Sequence, residues 1–195
     1  VQDLTYSPEL IAHVSKLAGH PLWPHDHAMN IAHTNFGVID SASENVDEWH
    51  LDSVEYVLVI VVSDVDGMEG GQLHVAQLDD PVEALEACRS GTLPDDKIES
   101  VTYDTMGCGV LMQGSKIAHC VSGVAAAKEP RLSVVMSFQS LDAFATDHTR
   151  PLTFCKWDGD DIASVEYARH LAWKTRAKLA AVEPNPNPWQ NIQEM

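Results

Sequence analysis

Cysteine pairs at metal-binding or redox spacing are missing from this sequence. Cys88, Cys108, Cys120 and Cys155 lie 20, 12 and 35 residues apart. The lack of any CxxC argues against a zinc ribbon and a thioredoxin-type redox pair. Basic residues are scarce: 12 Lys and Arg stand against 29 Asp and Glu, for a formal charge of −17 at pH 7. Such a field repels phosphate backbones and anionic lipid, so neither nucleic acid nor a membrane surface is an expected partner. No apolar run exceeds a buried strand in length, and the opening residues VQDLTYSPEL lack the basic and apolar regions of a signal peptide. A cytoplasmic protein with reduced thiols is the expectation. Repeats and low-complexity tracts are also absent.

What the chain does have is an apolar content of 45% spread along 195 residues, enough for one hydrophobic core. Ser7 and Pro8 cap a predicted helix over 7–18, with Leu10, Ile11, Val14 and Leu17 at helical spacing. GHPLWPHDH then breaks it. From about residue 30 the texture is of short strands: NIAHTNFGVI, the approach to WHLD, VEYVLVIVV, QLHVAQL, IESVTYD, GVLMQ, KIAHCV and RLSVVMSF. PVEALEACRSG, between the fourth and fifth, reads as a short helix. VEYVLVIVV is continuous and β-branched, as a strand buried on both faces should be. Residues 158–182 form the strongest predicted helix, with acidic residues at its start and basic ones toward its end. The expectation is therefore mainly β: a barrel or jelly roll with flanking helices, including a long C-terminal one. One domain spans 1–195, with its core over about 30–140 and a tail over 183–195.

Within this framework WHLDS places His50 and Asp52 two residues apart, on one face if the strand continues through them. A metal site needs a third ligand. Of the ten histidines, His13 and His170 fall on predicted helices, while His20, His25, His27 and His148 fall in loops; all read as ordinary polar residues. His119 sits on the strand KIAHCV, and twelve residues later the next strand begins Arg131-Leu132-Ser133. Arg131 and Ser133 share a face opposite Leu132, Val134, Met136 and Phe138. On that strand's sequence alone, Arg131 either lies in water at an edge or points inward, where its charge needs an anionic partner.

The order HxD, 67 residues, His, twelve residues, RxS resembles the iron(II)- and 2-oxoglutarate-dependent oxygenases, and Gly70-Gly71-Gln72-Leu73 resembles a turn and strand common between the halves of their motif. The resemblance covers about residues 30–140. It implies a double-stranded β-helix in which His50, Asp52 and His119 bind Fe(II) as a facial triad and act catalytically through the metal. It also implies that Arg131 and Ser133 hold the distal carboxylate of 2-oxoglutarate, with O2 as the oxidant. Retention of Asp52 argues against halogenation, since halogenases of this superfamily carry a small residue there. The stretch from PELIAHVSKLAGHPLWPH through AHTNFG to WHLDS is similar to a subgroup acting on small amino acids. That subgroup includes radical halogenases and fungal biosynthetic oxygenases of secondary metabolism, some of which close aziridine rings.

The resemblance thus implies hydroxylation, desaturation or ring closure at an unactivated C–H of a small molecule. His33, Asn35 and Ser53 are candidate substrate contacts, as is the polar loop His25-Asp26-His27; each has an equally simple structural reading. Two rival expectations stand beside this one: a peptide hydroxylase of the prolyl hydroxylase type, and a jelly roll that binds metal without turnover. Cys120 must face away from His119, Cys108 reads as a packed small residue, and Trp49 reads as core.

Overall fold

A computed structural model of the chain describes residues 1–27, 31–40 and 45–182, apart from the side chains of residues 2, 157 and 158. The predicted tail 183–195 lies outside the described residues. A short helix α1 (Gln2–Thr5) leads into α2 (Pro8–Ala18), where the Ser7 side chain accepts from the Leu10 backbone N–H as the N-cap. Gly19, in the left-handed conformation, ends α2 as its C-cap.

The strands follow: β1 (Leu22–Pro24), β2 (Ala32–Gly37), β3 (Asp47–His50), β4 (Tyr56–Val61), β5 (Glu69–Gly70) and β6 (Leu73–Ala76). Helix α3 (Pro81–Ser90) intervenes, capped by the Asp80 carboxylate at its start and by Gly91 at its end. Then come β7 (Ile98–Val101), β8 (Gly109–Met112), β9 (His119–Val121), β10 (Val124–Ala126) and the long β11 (Arg131–Ser140). Two helices close the described chain, α4 (Pro151–Asp158) and α5 (Asp160–Ala181).

All strand pairing in the two main sheets is antiparallel. One sheet runs β2–β11–β4–β8, with β1 continuing the β2 edge along the C-terminal half of β11. The other runs β3–β9–β6–β7, and β5 pairs with β10 beside them. Leaving aside β1, β5 and β10, the eight principal strands fall in the order 1-8-3-6 in one sheet and 2-7-4-5 in the other. That order is the jelly roll, or double-stranded β-helix.

Burial explains the apolar run of β4. Val57, Val59 and Val61 face the second sheet and pack with Leu73, Met112, Val121 and Val135. Tyr56 and Leu58 face outward with Val134, Met136 and Phe138, where Val14 of α2 and Leu22 cover them. A strand covered on both faces has no polar side to show. Helix α3 does the same for the second sheet, with Ala84 against Ala76, Ala118 and Leu51. Phe154 and Ala163 bring α4 and α5 onto the central cluster.

Besides the short α1, β5 and β10, which the sequence reading lacks, three features depart from it. The segment GHPLWPHDH contains β1, pinned to Phe138–Ser140 by pairing rather than by any pattern of its own. The C-terminal helix begins at Asp160 rather than 158, because Gly159 at φ +81° separates it from α4, which the sequence did not reveal. Strand β3 ends at His50 after an irregularity between Asp47 and His50, so Asp52 is not on a continuing strand.

Candidate metal centre

His50 at the end of β3 pairs with His119 at the start of β9, which brings the two imidazoles together with ring centroids 4.2 Å apart. Asp52 reaches the same point from beyond the strand, its backbone N–H held by the Gly114 carbonyl at 2.9 Å. Its Oδ1 lies 3.4 Å from His50 Nε2, and its Oδ2 lies 3.6 Å from His119 Nε2.

Both imidazoles are oriented the same way. His50 Nδ1–H donates to the Glu48 carbonyl at 2.6 Å, and His119 Nδ1–H donates to the Ile117 carbonyl at 2.8 Å. In each case the residue two positions earlier fixes the tautomer and leaves the Nε2 lone pair aimed at the centre. Asp52 Oδ2 is buried and accepts no hydrogen bond. A Cβ on Gly114 would collide with that carboxylate, so only glycine leaves it room.

The charge states of the three side chains depend on one another. Burial disfavours charge on His50, but Asp52 and Asp47 outweigh it and push its pKa up to about 9. Burial likewise opposes ionisation of Asp52, yet His50 and His119 hold its carboxyl below the usual range. Burial lowers the pKa of His119, against the pull of Asp52. A metal at the centre would displace the Nε2 proton of His50, and two imidazole nitrogens with one carboxylate oxygen then form a donor set that fits a divalent transition metal with open positions.

Arg131 opens β11 and is only 1% exposed. Its Nε donates to the Gly71 carbonyl at 3.1 Å and its Nη1 to Ser133 Oγ at 3.0 Å, while Nη2 is buried with no hydrogen-bond partner. Its charge faces no carboxylate within ion-pair distance among the described residues. Instead the Tyr103 ring lies 5.3 Å beneath the guanidinium, and the buried Tyr103 hydroxyl also makes no hydrogen bond. Gly70 and Gly71 explain the approach. Both have positive φ, a Cβ on Gly70 would strike the Gly123 carbonyl, and one on Gly71 would sit 2.8 Å from Arg131 Cδ. Two unfilled donors beside a buried cation fit a carboxylate.

A cavity between the sheets holds the three converging residues and reaches Ser133, the hydrogen-bond partner of Arg131, with about 430 Å³ of empty space including its open mouth. His33 and Asn35 of β2, Asp47, the three converging residues and Ser133 supply its polar lining, and Val57, Val59, Leu73 and Met112 supply apolar lining. Of the substrate candidates read from sequence, His33 and Asn35 line it. Ser53 does not; its carbonyl accepts from the Arg150 N–H at 2.9 Å. Tyr103 and Asp47 carried no sequence signal. Cys120, next to His119, lines a different groove together with Trp49 and His74. All four cysteines are free thiols.

His25, Asp26 and His170 also bring donor atoms within 4.8 Å of one another. Their nitrogens are already engaged. His25 Nδ1 accepts from the His27 N–H at 3.1 Å, and its Nε2 meets Thr149 Oγ1 at 3.2 Å. His170 lies between two carboxylates, Nδ1 at 2.7 Å from Asp26 and Nε2 at 2.7 Å from Asp147. This is an imidazolium clamp tying two loops to α5. The loop 25–27, offered by the sequence as a substrate contact, serves that clamp and not the cavity lining.

No family model matches the chain, and no curated protein matches its sequence. Solved structures do. One is the non-haem α-ketoglutarate-dependent epimerase SnoN from nogalamycin biosynthesis, with a TM-score of 0.47 and 15% identity over 72% of this chain and 56% of that one. Another is a bsmA homologue from Methylobium petroleophilum PM1, with a TM-score of 0.33 and 16% identity over 47% of this chain and 33% of that one. The chain thus spans little more than half the length of the first and a third of the second. No helix among the described residues is long and apolar enough to cross a membrane.

Proposed function

We propose that the chain is an iron(II)- and 2-oxoglutarate-dependent oxygenase acting on a small, amino-acid-like metabolite. The observation that carries this reading is Arg131: a fully buried guanidinium with one unfilled Nη2, on the strand that also sends Ser133 into the cavity of the His50–Asp52–His119 cluster. A metal held only for stability has no use for a buried anion receptor. That sets this reading above a non-catalytic jelly roll.

His50 Nε2, His119 Nε2 and one oxygen of Asp52 would hold the metal on one side, leaving its other positions toward the cavity. With iron, 2-oxoglutarate and dioxygen bound, such a site supplies oxidative decarboxylation to succinate and CO2, coupled to hydrogen abstraction from an unactivated C–H. The chain's own contribution is positional. Arg131 Nη2, the Tyr103 hydroxyl and Ser133 would receive the distal carboxylate, and Gly71 keeps the guanidinium in place through its carbonyl. The apolar wall of Val57, Val59, Leu73 and Met112 excludes water from the reacting carbon. Retention of Asp52 leaves hydroxylation, desaturation or ring closure as the outcomes. A compact cavity between sheet edges, shared by both cosubstrate and substrate, favours a small molecule over a polypeptide.

Anaerobic addition of iron(II) and 2-oxoglutarate should give the weak visible absorption of the chelate, and admission of oxygen should release succinate. A protein that binds iron but shows neither signal would be a metal-binding jelly roll instead.

A further inference from the structure

We propose that Asp47 recognises a protonated amine on the substrate. The assignment of the cavity as a reaction site rests on the oxygenase reading; the placement of Asp47 does not. Asp47 opens β3, the edge strand of its sheet, and β2 is the edge strand of the other. Asp47 lines the cavity from β3, and His33 and Asn35 line it from β2. The Asp47 side chain is 40% exposed there, open to an incoming molecule.

Two structural duties would otherwise account for this carboxylate, and the geometry rejects both. Asp47 does not orient His50. Its Oδ1 is 3.6 Å from His50 Nδ1, beyond a good hydrogen bond, and that N–H already donates to the Glu48 carbonyl at 2.6 Å. Nor does it complete the metal set, because it approaches Nδ1, the side of the ring turned away from Asp52 and His119, and it does not belong to the converging group of donors. Among the described residues, no lysine or arginine lies within ion-pair distance of it; the nearest cationic group is the His50 ring, which would be neutral once its Nε2 held a metal.

Charge balance then identifies the ligand. A divalent metal, Asp52, a dicarboxylate cosubstrate and Arg131 sum to neutrality. Asp47 is the charge left over, in a cavity where Asp52 is already a second carboxylate. A substrate bearing a cationic nitrogen offsets it, and a neutral or anionic one leaves it uncompensated. His33 faces it with an imidazole whose pKa burial has lowered, so it does not supply the missing cation at neutral pH.

The test compares free amino acids and small primary amines with their N-acetyl analogues. Binding to protein loaded with zinc and 2-oxoglutarate is followed by ligand-observed saturation-transfer NMR, without need of turnover. Wild-type protein should bind amine-bearing compounds and not their acetylated partners. Asp47→Asn should weaken amine binding by about tenfold or more, the size of a lost charge-assisted contact, and Asp47→Glu should recover part of it. Equal binding of acetylated compounds, equal binding by Asp47→Asn, or no amine bound by wild type would each overturn the proposal. So would loss of zinc from Asp47→Asn, which would make Asp47 a support for His50. If wild-type protein forms no iron–2-oxoglutarate absorption yet binds amines in a way that depends on Asp47, the oxygenase reading fails and this one stands.

Discussion

Gly114 and Asp52 share a single space: the Cβ that Gly114 lacks would fall on the Asp52 carboxylate, while the Gly114 carbonyl holds the Asp52 N–H at 2.9 Å. Glycine 62 positions downstream is therefore part of what positions the Asp52 carboxylate. Gly114 does not have a positive φ, so alanine is tolerated by the backbone and its effect should be confined to the carboxylate. Gly114→Ala is expected to cut metal affinity by about 10- to 100-fold with the fold kept, as loss of an outer support does. Asp52→Ala should abolish oxidation outright. Metal titration with circular dichroism checks the first and succinate release the second, and undiminished metal binding by Gly114→Ala would show that Asp52 has another way to sit.

Arg131 has its cost in the ligand-free protein, because a buried charge without an anion is unfavourable. Arg131→Met keeps the apolar stem and removes that charge. The ligand-free variant should melt at the same temperature as wild type or higher. Its requirement for 2-oxoglutarate should rise by about a hundredfold or more, with the requirement for substrate much less affected. With metal present for both proteins, added 2-oxoglutarate should stabilise wild type and not the variant. A large drop in ligand-free stability would instead make the guanidinium a structural strut between Gly71 and Ser133.

Much of this site could be read in advance, though not for the physical reason first apparent. Strand alternation seemed to place His50 and Asp52 on one face, yet β3 stops at His50 and Asp52 is brought round by its bond to Gly114. The Gly70-Gly71 turn was visible as a motif; that it exists to let Arg131 pass was not, because the contact spans 60 residues of chain. Tyr103 follows β7 in a loop and meets Arg131 only through tertiary packing. The clamp on His170 was hidden similarly, with partners 144 and 23 residues away. Of the strands, those with four to ten residues and an apolar pattern were legible. β9, only three residues, was legible because its apolar flanks extend it to KIAHCV, whereas β1, β5 and β10, two or three residues each among turn residues, were not.

Tyr103 separates the two contributions beneath Arg131. Its ring supports the cation, and its buried hydroxyl, whose pKa burial raises against the pull of Arg131, stays protonated as a donor. Tyr103→Phe keeps the ring and deletes only the donor. We expect the 2-oxoglutarate requirement to rise by about tenfold, as for one lost hydrogen bond to a charged group, with metal affinity unchanged. An unchanged requirement in steady-state titration would place the hydroxyl outside the carboxylate's reach.

The His170 clamp sets how stability responds to pH. Burial opposes its charge, but Asp147 and Asp26 outweigh that and push its pKa up to about 9, from an ordinary value of 6.5. A base with a raised folded pKa contributes fully below 6.5 and loses its contribution as pH climbs to 9, a difference of roughly 3 kcal/mol. His25, stacked on His170 with centroids 4.9 Å apart, behaves oppositely. Burial and then the His170 charge lower its pKa to about 3, so unfolding takes up a proton below 6.5 and stability falls on acidification. Asp26 and Asp147, both held below the usual carboxylate range, add to the loss toward still lower pH. The two limbs meet near pH 6.5, where this cluster stabilises most. His170→Gln should remove the alkaline limb: its deficit against wild type, measured by thermal melts at matched metal content, should be largest near pH 6 and shrink toward pH 9. A deficit that stays constant across that range would mean His170 is held neutral, by packing rather than by its two aspartates.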